Sequence, residues 1–213
     1  MKVVLAGQKY FGAETFRALR GLPGVEIIAC AAPFNPEKPD RLWAQAVLYR
    51  VPLIKAGTLN ASILPDGTDL IVAAHSHDFI GEKTRLRATY GGIGYHPSAL
   101  PVHRGRDAVR WAIKMNDRIT GGSVYRLSNR MDGGDILAQD FVFIRPDDDA
   151  ETLWRRELAP LGVRLLAETV ARIAREGHIP GKPQDEACAT FEPSWERPPA
   201  YRPDLIMLGH EPS

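Results

Sequence analysis

The stretch Gly91-Gly92-Ile93-Gly94-Tyr95-His96-Pro97-Ser98-Ala99-Leu100-Pro101-Val102-His103-Arg104-Gly105 fixes where this chain keeps its chemistry. Its first half alternates outward and inward positions and delivers His96 to the end of a short strand, after which Pro97 and Pro101 restrict the backbone. Working outward, residues 1–7, 25–32 and 69–74 are continuous apolar runs of the kind shown by parallel strands buried on both faces. Residues 51–54, 120–127 and 135–144 read as further strands. Helical periodicity falls between them, at 14–22, 41–49 and 108–115. This alternation predicts an α/β fold with a doubly wound, mostly parallel sheet. Such sheets bind ligands beyond the C-terminal ends of their strands, and His96 sits at one of those ends.

The 213 residues are 44% hydrophobic and 25% charged, which fits one full α/β core with a short appendage. The expected division is a domain over 1–178 and a proline-rich extension over 179–213. A net charge of +1 gives no field for nucleic acid or an anionic membrane, and the apolar runs are too short to span a bilayer, so the expected location is cytoplasmic. Cys30 and Cys188 lack metal-ligand spacing and read as reduced, structural thiols.

Several local features follow from residue chemistry. Asp40 is placed to cap the helix after it, and Asp147, Asp148 and Asp149 suit the positive end of a long helical pattern over 150–176. Pro160 should bend or divide that helix, and Gly177 should stop it. Gly7 to Gly12 reads as a strand-to-helix turn, a place where phosphates bind, although the spacing is not that of a dinucleotide fingerprint. His103 reads as a surface residue. Arg104 and Arg106 read either as solvated loop charges or as contacts to an anionic substrate group. The tail carries Trp195, Tyr201 and an apolar run at 205–208 that makes a homodimer an expectation.

For catalysis, Met131-Asp132-Gly133-Gly134-Asp135-Ile136 offers a carboxylate in a glycine-softened turn, the partner that orients an imidazole and supports its protonated form. The alternative is that His96 closes a turn and Asp132 caps one. His75 and His77, at the end of the 69–74 strand, are a second pair of histidines with an acid, Asp78, nearby. Two or three local ligands are few for a metal, and no metal is assigned.

His96-Pro97-Ser98-Ala99-Leu100-Pro101, then Arg104-Gly105, then Thr120-Gly121-Gly122-Ser123-Val124, then Met131 through Ile136 resemble, in order, the motifs of the folate-dependent formyltransferase family. The resemblance runs, with gaps, from the N-terminus to about Phe143. It implies a single Rossmann-like catalytic domain and 10-formyltetrahydrofolate as cosubstrate. The reaction it implies is attack of a small-molecule amine on the formyl carbon through a tetrahedral intermediate. His96 would move the proton and Asp132 would orient it. Folate contacts are implied around Ala74, Ser98, Leu100, Arg104, Gly105 and Asp135, largely through backbone groups, and acceptor contacts around Gly7, Lys9, Tyr10 and Phe11. Methionyl-tRNA members carry a further C-terminal domain that grips the tRNA; with a short tail and a near-neutral charge, a tRNA acceptor is not expected.

One position departs from the family pattern Asn-x-His-Pro-Ser: Gly94 stands where the asparagine would be. Residues two apart on a strand share a face, so a donor beside His96 is missing. Loss of such a donor costs about 3 kcal/mol in the transition state. Two readings of His75 and His77 stay open: one of them fills the space above Gly94 and supplies the absent donor or a second proton relay, or both are exposed loop histidines. Three readings follow. The first is an N-formyltransferase. The second is a 10-formyltetrahydrofolate hydrolase, whose motif also lacks the asparagine and resembles Tyr95-His96-Pro97-Ser98. The third is a folate-binding protein without activity, against which stands the retention of His96 and Asp132 together.

Overall fold

The computed structural model describes residues 1–76 and 78–195. His77 and the 205–208 run expected at a dimer contact lie outside the described residues. Seven strands form one sheet: β1 (Lys2–Gly7), β2 (Glu26–Ala32), β3 (Leu53–Lys55), β4 (Leu70–Ala74), β5 (Gly92–His96), β6 (Ile119–Arg126) and β7 (Ile136–Phe143). Their order is β3-β2-β1-β4-β5-β6-β7. The first five run parallel, and β6 and β7 are antiparallel to their neighbours. The chain winds outward from β1 to β3, then returns to place β4 on the other side of β1. That reversal is the switch point at which doubly wound sheets open a crevice.

One face of the sheet is covered by α1 (Lys9–Arg20), α2 (Arg41–Leu48) and α6 (Ala159–Glu176), over a core that includes Leu5, Phe11, Phe16, Val72, Ile93 and Leu166, against which Val109 and Ile113 of α4 (Ala108–Lys114) also pack. The opposite face is covered more thinly. There Val4, Ala6, Ala31 and Ile71 meet Leu59, Leu64, Ile80 and Ala88 from loops and from beside the short helix α3 (Glu82–Arg85). No helix among the described residues is long and apolar enough to cross a membrane.

The strand-to-helix turn expected over Gly7 to Gly12 is shorter than its glycines indicate. Helix α1 starts at Lys9, and Gly12 lies inside it, where an added Cβ would come 3.3 Å from the Leu42 side chain. The anion position at the start of α1 is taken by the protein itself. Asp40 accepts from Leu42 N–H at 2.8 Å, capping α2, and from Lys9 N–H at 2.7 Å. Asp149 caps α5 (Ala150–Leu153) in a reciprocal box with Thr152.

The long C-terminal helix is divided ahead of Pro160, as its chemistry requires, by one wide turn over Trp154–Leu158. Tyr95 donates its hydroxyl to the Leu158 carbonyl at 2.7 Å. Its ring fits because Gly122 on β6 and Gly162 on α6 have no side chain; a Cβ at either would overlap it. Past α6 the chain turns back over the loops at the sheet's edge, bridging Ile136 to Lys182 and Arg104 to Phe191.

Candidate active site

His96 is the last residue of β5 and is buried. Its Nε2 lies 2.6 Å from the carbonyl oxygen of His103. A carbonyl can only accept, so Nε2 carries a proton, and in the neutral ring Nδ1 is the basic nitrogen. Nδ1 faces Asp132 Oδ2 at 3.6 Å. The structure thus brings together the two residues paired on sequence grounds.

Asp132 lies in the loop between β6 and β7 with a left-handed backbone, φ 50°. The loop can lie against β6 because of Gly134, where a Cβ would run into the Arg126 carbonyl. Two donors hold the carboxylate. Gly105 N–H reaches Oδ2 at 2.8 Å, and the Tyr125 hydroxyl reaches Oδ1 at 2.6 Å. Gly105 itself needs φ 98°, which a residue with a side chain rarely adopts. Burial first, and then Asp132, push the Tyr125 hydroxyl far above the usual phenol range, so it remains a donor.

The space above Gly94 is filled differently from the expectation. The nearest neighbours of a Cβ at Gly94 are Leu127 Cδ2 at 3.1 Å and Cε1 and Cζ of Tyr125 at 3.4 and 3.5 Å. Tyr125 pairs directly across from Gly94, so a leucine and a tyrosine ring of the antiparallel neighbour occupy the gap. His75 sits instead at the end of β4 with φ 60°, edge-on to Trp154 at 6.5 Å.

Several residues expected at ligands are committed within the protein. Ser98 is fully buried and donates to the Val102 carbonyl at 2.5 Å. Leu100 is buried, its N–H on Ser123 Oγ and its carbonyl on the Gln139 amide. Arg104 is neither solvated nor open to a substrate anion. It is 0% exposed, forked onto Glu186 with both bonds at 2.9 Å, and bonded twice to Gln184 Oε1. Phe11 packs against Tyr95 and Trp154 in the core, and Gly7 serves the close approach of β1 to the Ala74 carbonyl. Ala74, also buried, ends β4 beside that glycine. Lys9 and Tyr10 remain at the surface, and Asp135 is half-buried with its carbonyl on Arg126 N–H. His103 is not a surface residue: it is 4% exposed, with Asp117 at 2.8 Å and Glu192 at 3.1 Å from its ring nitrogens. Cys30 is buried, which pushes its thiol up to about 12, whereas Cys188 is exposed.

Sequence reasoning missed Tyr125 and Gln184. The Gln184 amide donates to the carbonyls of Asp132 and Gly134, each at 2.7 Å, while its oxygen holds Arg104. It thereby ties the loop after His96 to the loop carrying Asp132. The empty position at Gly94 was the one signal for Tyr125. Nothing local marks Gln184.

The formyl transferase family model matches residues 53–170, more than half of the chain. The human cytosolic 10-formyltetrahydrofolate dehydrogenase is 34% identical over 203 residues, 90% of this chain and 22% of that protein. The methionyl-tRNA formyltransferase of Lactobacillus delbrueckii subsp. bulgaricus is 35% identical over 205 residues, 90% of this chain and 64% of that one. The chain therefore spans about a fifth of the dehydrogenase relatives and less than two thirds of the transferase. Among solved structures, the phosphoribosylglycinamide formyltransferase of Anaplasma phagocytophilum superposes with a TM-score of 0.73 at 22% identity, covering 90% of this chain and 98% of that one. The N-formyltransferase of Helicobacter canadensis, in complex with folinic acid and dTDP-3-aminofucose, gives 0.71 at 16% identity, over 90% and 70%. At those identities the superpositions speak for the fold, and with the match of the family model they lead to one conclusion: this chain belongs to the formyl transferase family.

Proposed function

We propose that the chain transfers a formyl group from 10-formyltetrahydrofolate to a small-molecule amine, with His96 and Asp132 carrying the proton. The observation behind this reading is the fixed direction of the His96 ring: Nε2 is spent on a backbone carbonyl, leaving Nδ1 as the base beside a carboxylate held by two donors. The folate supplies an electrophilic formyl carbon. His96 Nδ1 takes the proton released as the amine attacks, Asp132 stabilises the resulting imidazolium, and the same proton then serves the departing folate nitrogen. Acid–base work of this kind is worth about a hundred- to ten-thousandfold.

The surroundings suit such a donor. Phe79 and Met131 are exposed apolar side chains on two segments that Arg85 joins, through the Ile80 carbonyl and Asn129 Oδ1. Met131 places exposed apolar surface next to Asp132 in the chain. A second reading, hydrolysis with water as acceptor, is favoured by one feature: Leu127 and the Tyr125 ring cover Gly94, so no side-chain amide stands there.

The test is tetrahydrofolate release from 10-formyltetrahydrofolate with and without a panel of amines, in the parent and in His96→Ala. Amine-dependent release lost in the variant supports the transferase. Amine-independent release that still needs His96 supports the hydrolase, and tight folate binding without turnover overturns both.

A further inference from the structure

Asp132 has a demanding task for a residue in a loop. Its carboxylate must keep one oxygen toward His96 Nδ1 while its plane is free, in principle, to turn about the Cβ–Cγ bond. The Gly105 N–H fixes Oδ2 alone, and a single donor leaves the group able to pivot. The second point of fixation is Tyr125, whose hydroxyl provides the side-chain hydrogen bond to that carboxylate among the described residues. At 2.6 Å it has the length of an O–H donating to an ionised oxygen.

The position of that hydroxyl is itself determined from the strand beneath. Tyr125 is paired across from Gly94 in the antiparallel register, and both lie on the face that carries His96 two residues further along. Because Gly94 has no side chain, the ring lies across the β5 backbone and is 8% exposed. A Cβ at this position would press on the Leu127 methyl at 3.1 Å and would already be in contact with the ring at 3.4 Å, so a longer side chain would need the ring's space. Glycine at 94 and tyrosine at 125 therefore act as a pair: the first makes the space, and the second spans it to reach Asp132.

We infer that Tyr125 is a positioning residue for proton transfer, acting through Asp132 rather than on substrate, and that Gly94 is what allows it to do so. This rests on the reading of His96 and Asp132 as the proton-transfer pair.

Tyr125→Phe removes the hydroxyl and keeps the ring, so the packing over Gly94 survives and can be checked by thermal melting. The expected result is a fall in kcat of about tenfold, the size of a hydrogen bond to a charged group, with KM for the formyl donor within about twofold of the parent. Because the hydroxyl acts through the carboxylate, the Tyr125→Phe/Asp132→Ala double variant, which leaves nothing for the hydroxyl to hold, should be no slower than Asp132→Ala alone. A variant with the parent's kcat, or losses that multiply in the double variant, would overturn the inference. A second readout needs no turnover. In ligand-free protein the Tyr125 hydroxyl proton should give a slowly exchanging downfield NMR resonance, absent in Tyr125→Phe and moved upfield in Asp132→Asn. If that resonance ignores the Asp132 substitution, the inference fails. A parent with the resonance but no formyl release would instead refute the proposed reaction.

Discussion

Asp132→Asn tests the candidate site most directly, because it keeps the shape of the side chain and removes its charge. Where His96 takes on positive charge in the transition state, its Coulomb attraction to a carboxylate oxygen 3.6 Å away is about 4–5 kcal/mol at an effective dielectric of about 20. The asparagine retains part of this. Gly105 N–H can only donate, so the amide oxygen must turn toward it and hence toward His96, leaving the amide nitrogen to Tyr125, whose hydroxyl can rotate to accept. A dipole then stands where a charge stood. If about half of the attraction is lost, the transition state loses about 2–3 kcal/mol, which is about 30- to 150-fold in kcat/KM. The assay is initial-rate tetrahydrofolate formation across a range of donor concentrations, with the folded state checked by circular dichroism. A folded variant within threefold of the parent would refute the idea that the carboxylate supports an imidazolium, and His96 would then act without Asp132.

Two further substitutions probe the frame around the site. Arg104→Lys keeps a charge but not the planar fork, so both Glu186 bonds and the Gln184 link to the Asp132 loop are lost from a fully buried position. The expected cost is about 2–3 kcal/mol by urea denaturation, less than for a wholly buried pair because Glu186 is partly exposed. Faster proteolysis within 182–195 should accompany it, and unchanged stability would show that the segment is not held through Arg104. Asp148 has its carboxyl held below the usual range chiefly by its hydrogen bond from Arg156. A lowered folded value means that the stability gained is complete above about pH 4 and is lost as pH falls through the folded value. The gap in stability between the parent and Asp148→Asn should therefore be widest near neutrality and close on acidification. A gap that stays constant down to about pH 2 would contradict the pairing.

Much of the fold was legible because parallel strands buried on both faces must be continuous apolar runs. Residues 1–7, 25–32 and 69–74 gave β1, β2 and β4 to within a residue or two at each end. Local chemistry of the same kind revealed the Asp40 and Asp149 caps and the interruption before Pro160, since each depends on groups only a few positions apart. The placement of His96 at a strand end and the choice of Asp132 as its partner also came from the chain itself, through a strand pattern, two prolines and a glycine-rich turn.

Tertiary structure decided what depends on register and on segments distant in sequence. Ser98, Leu100 and Arg104 carry polar groups that look available along the chain. Whether such groups meet a ligand or a protein partner depends on what folds over them: Ser123 takes the Ser98 carbonyl and the Leu100 N–H, Gln139 takes the Leu100 carbonyl, and Glu186 from far downstream takes Arg104, while the Ser98 hydroxyl turns to the nearby Val102 carbonyl. His103 reads as a loop residue until Asp117 and Glu192 close on both sides of its ring. The gap at Gly94 was visible in the sequence, but its occupant was not. A one-residue slip in the pairing of β5 with β6 would have turned Tyr125 to the other face of the sheet, so only the observed register could place its hydroxyl on Asp132.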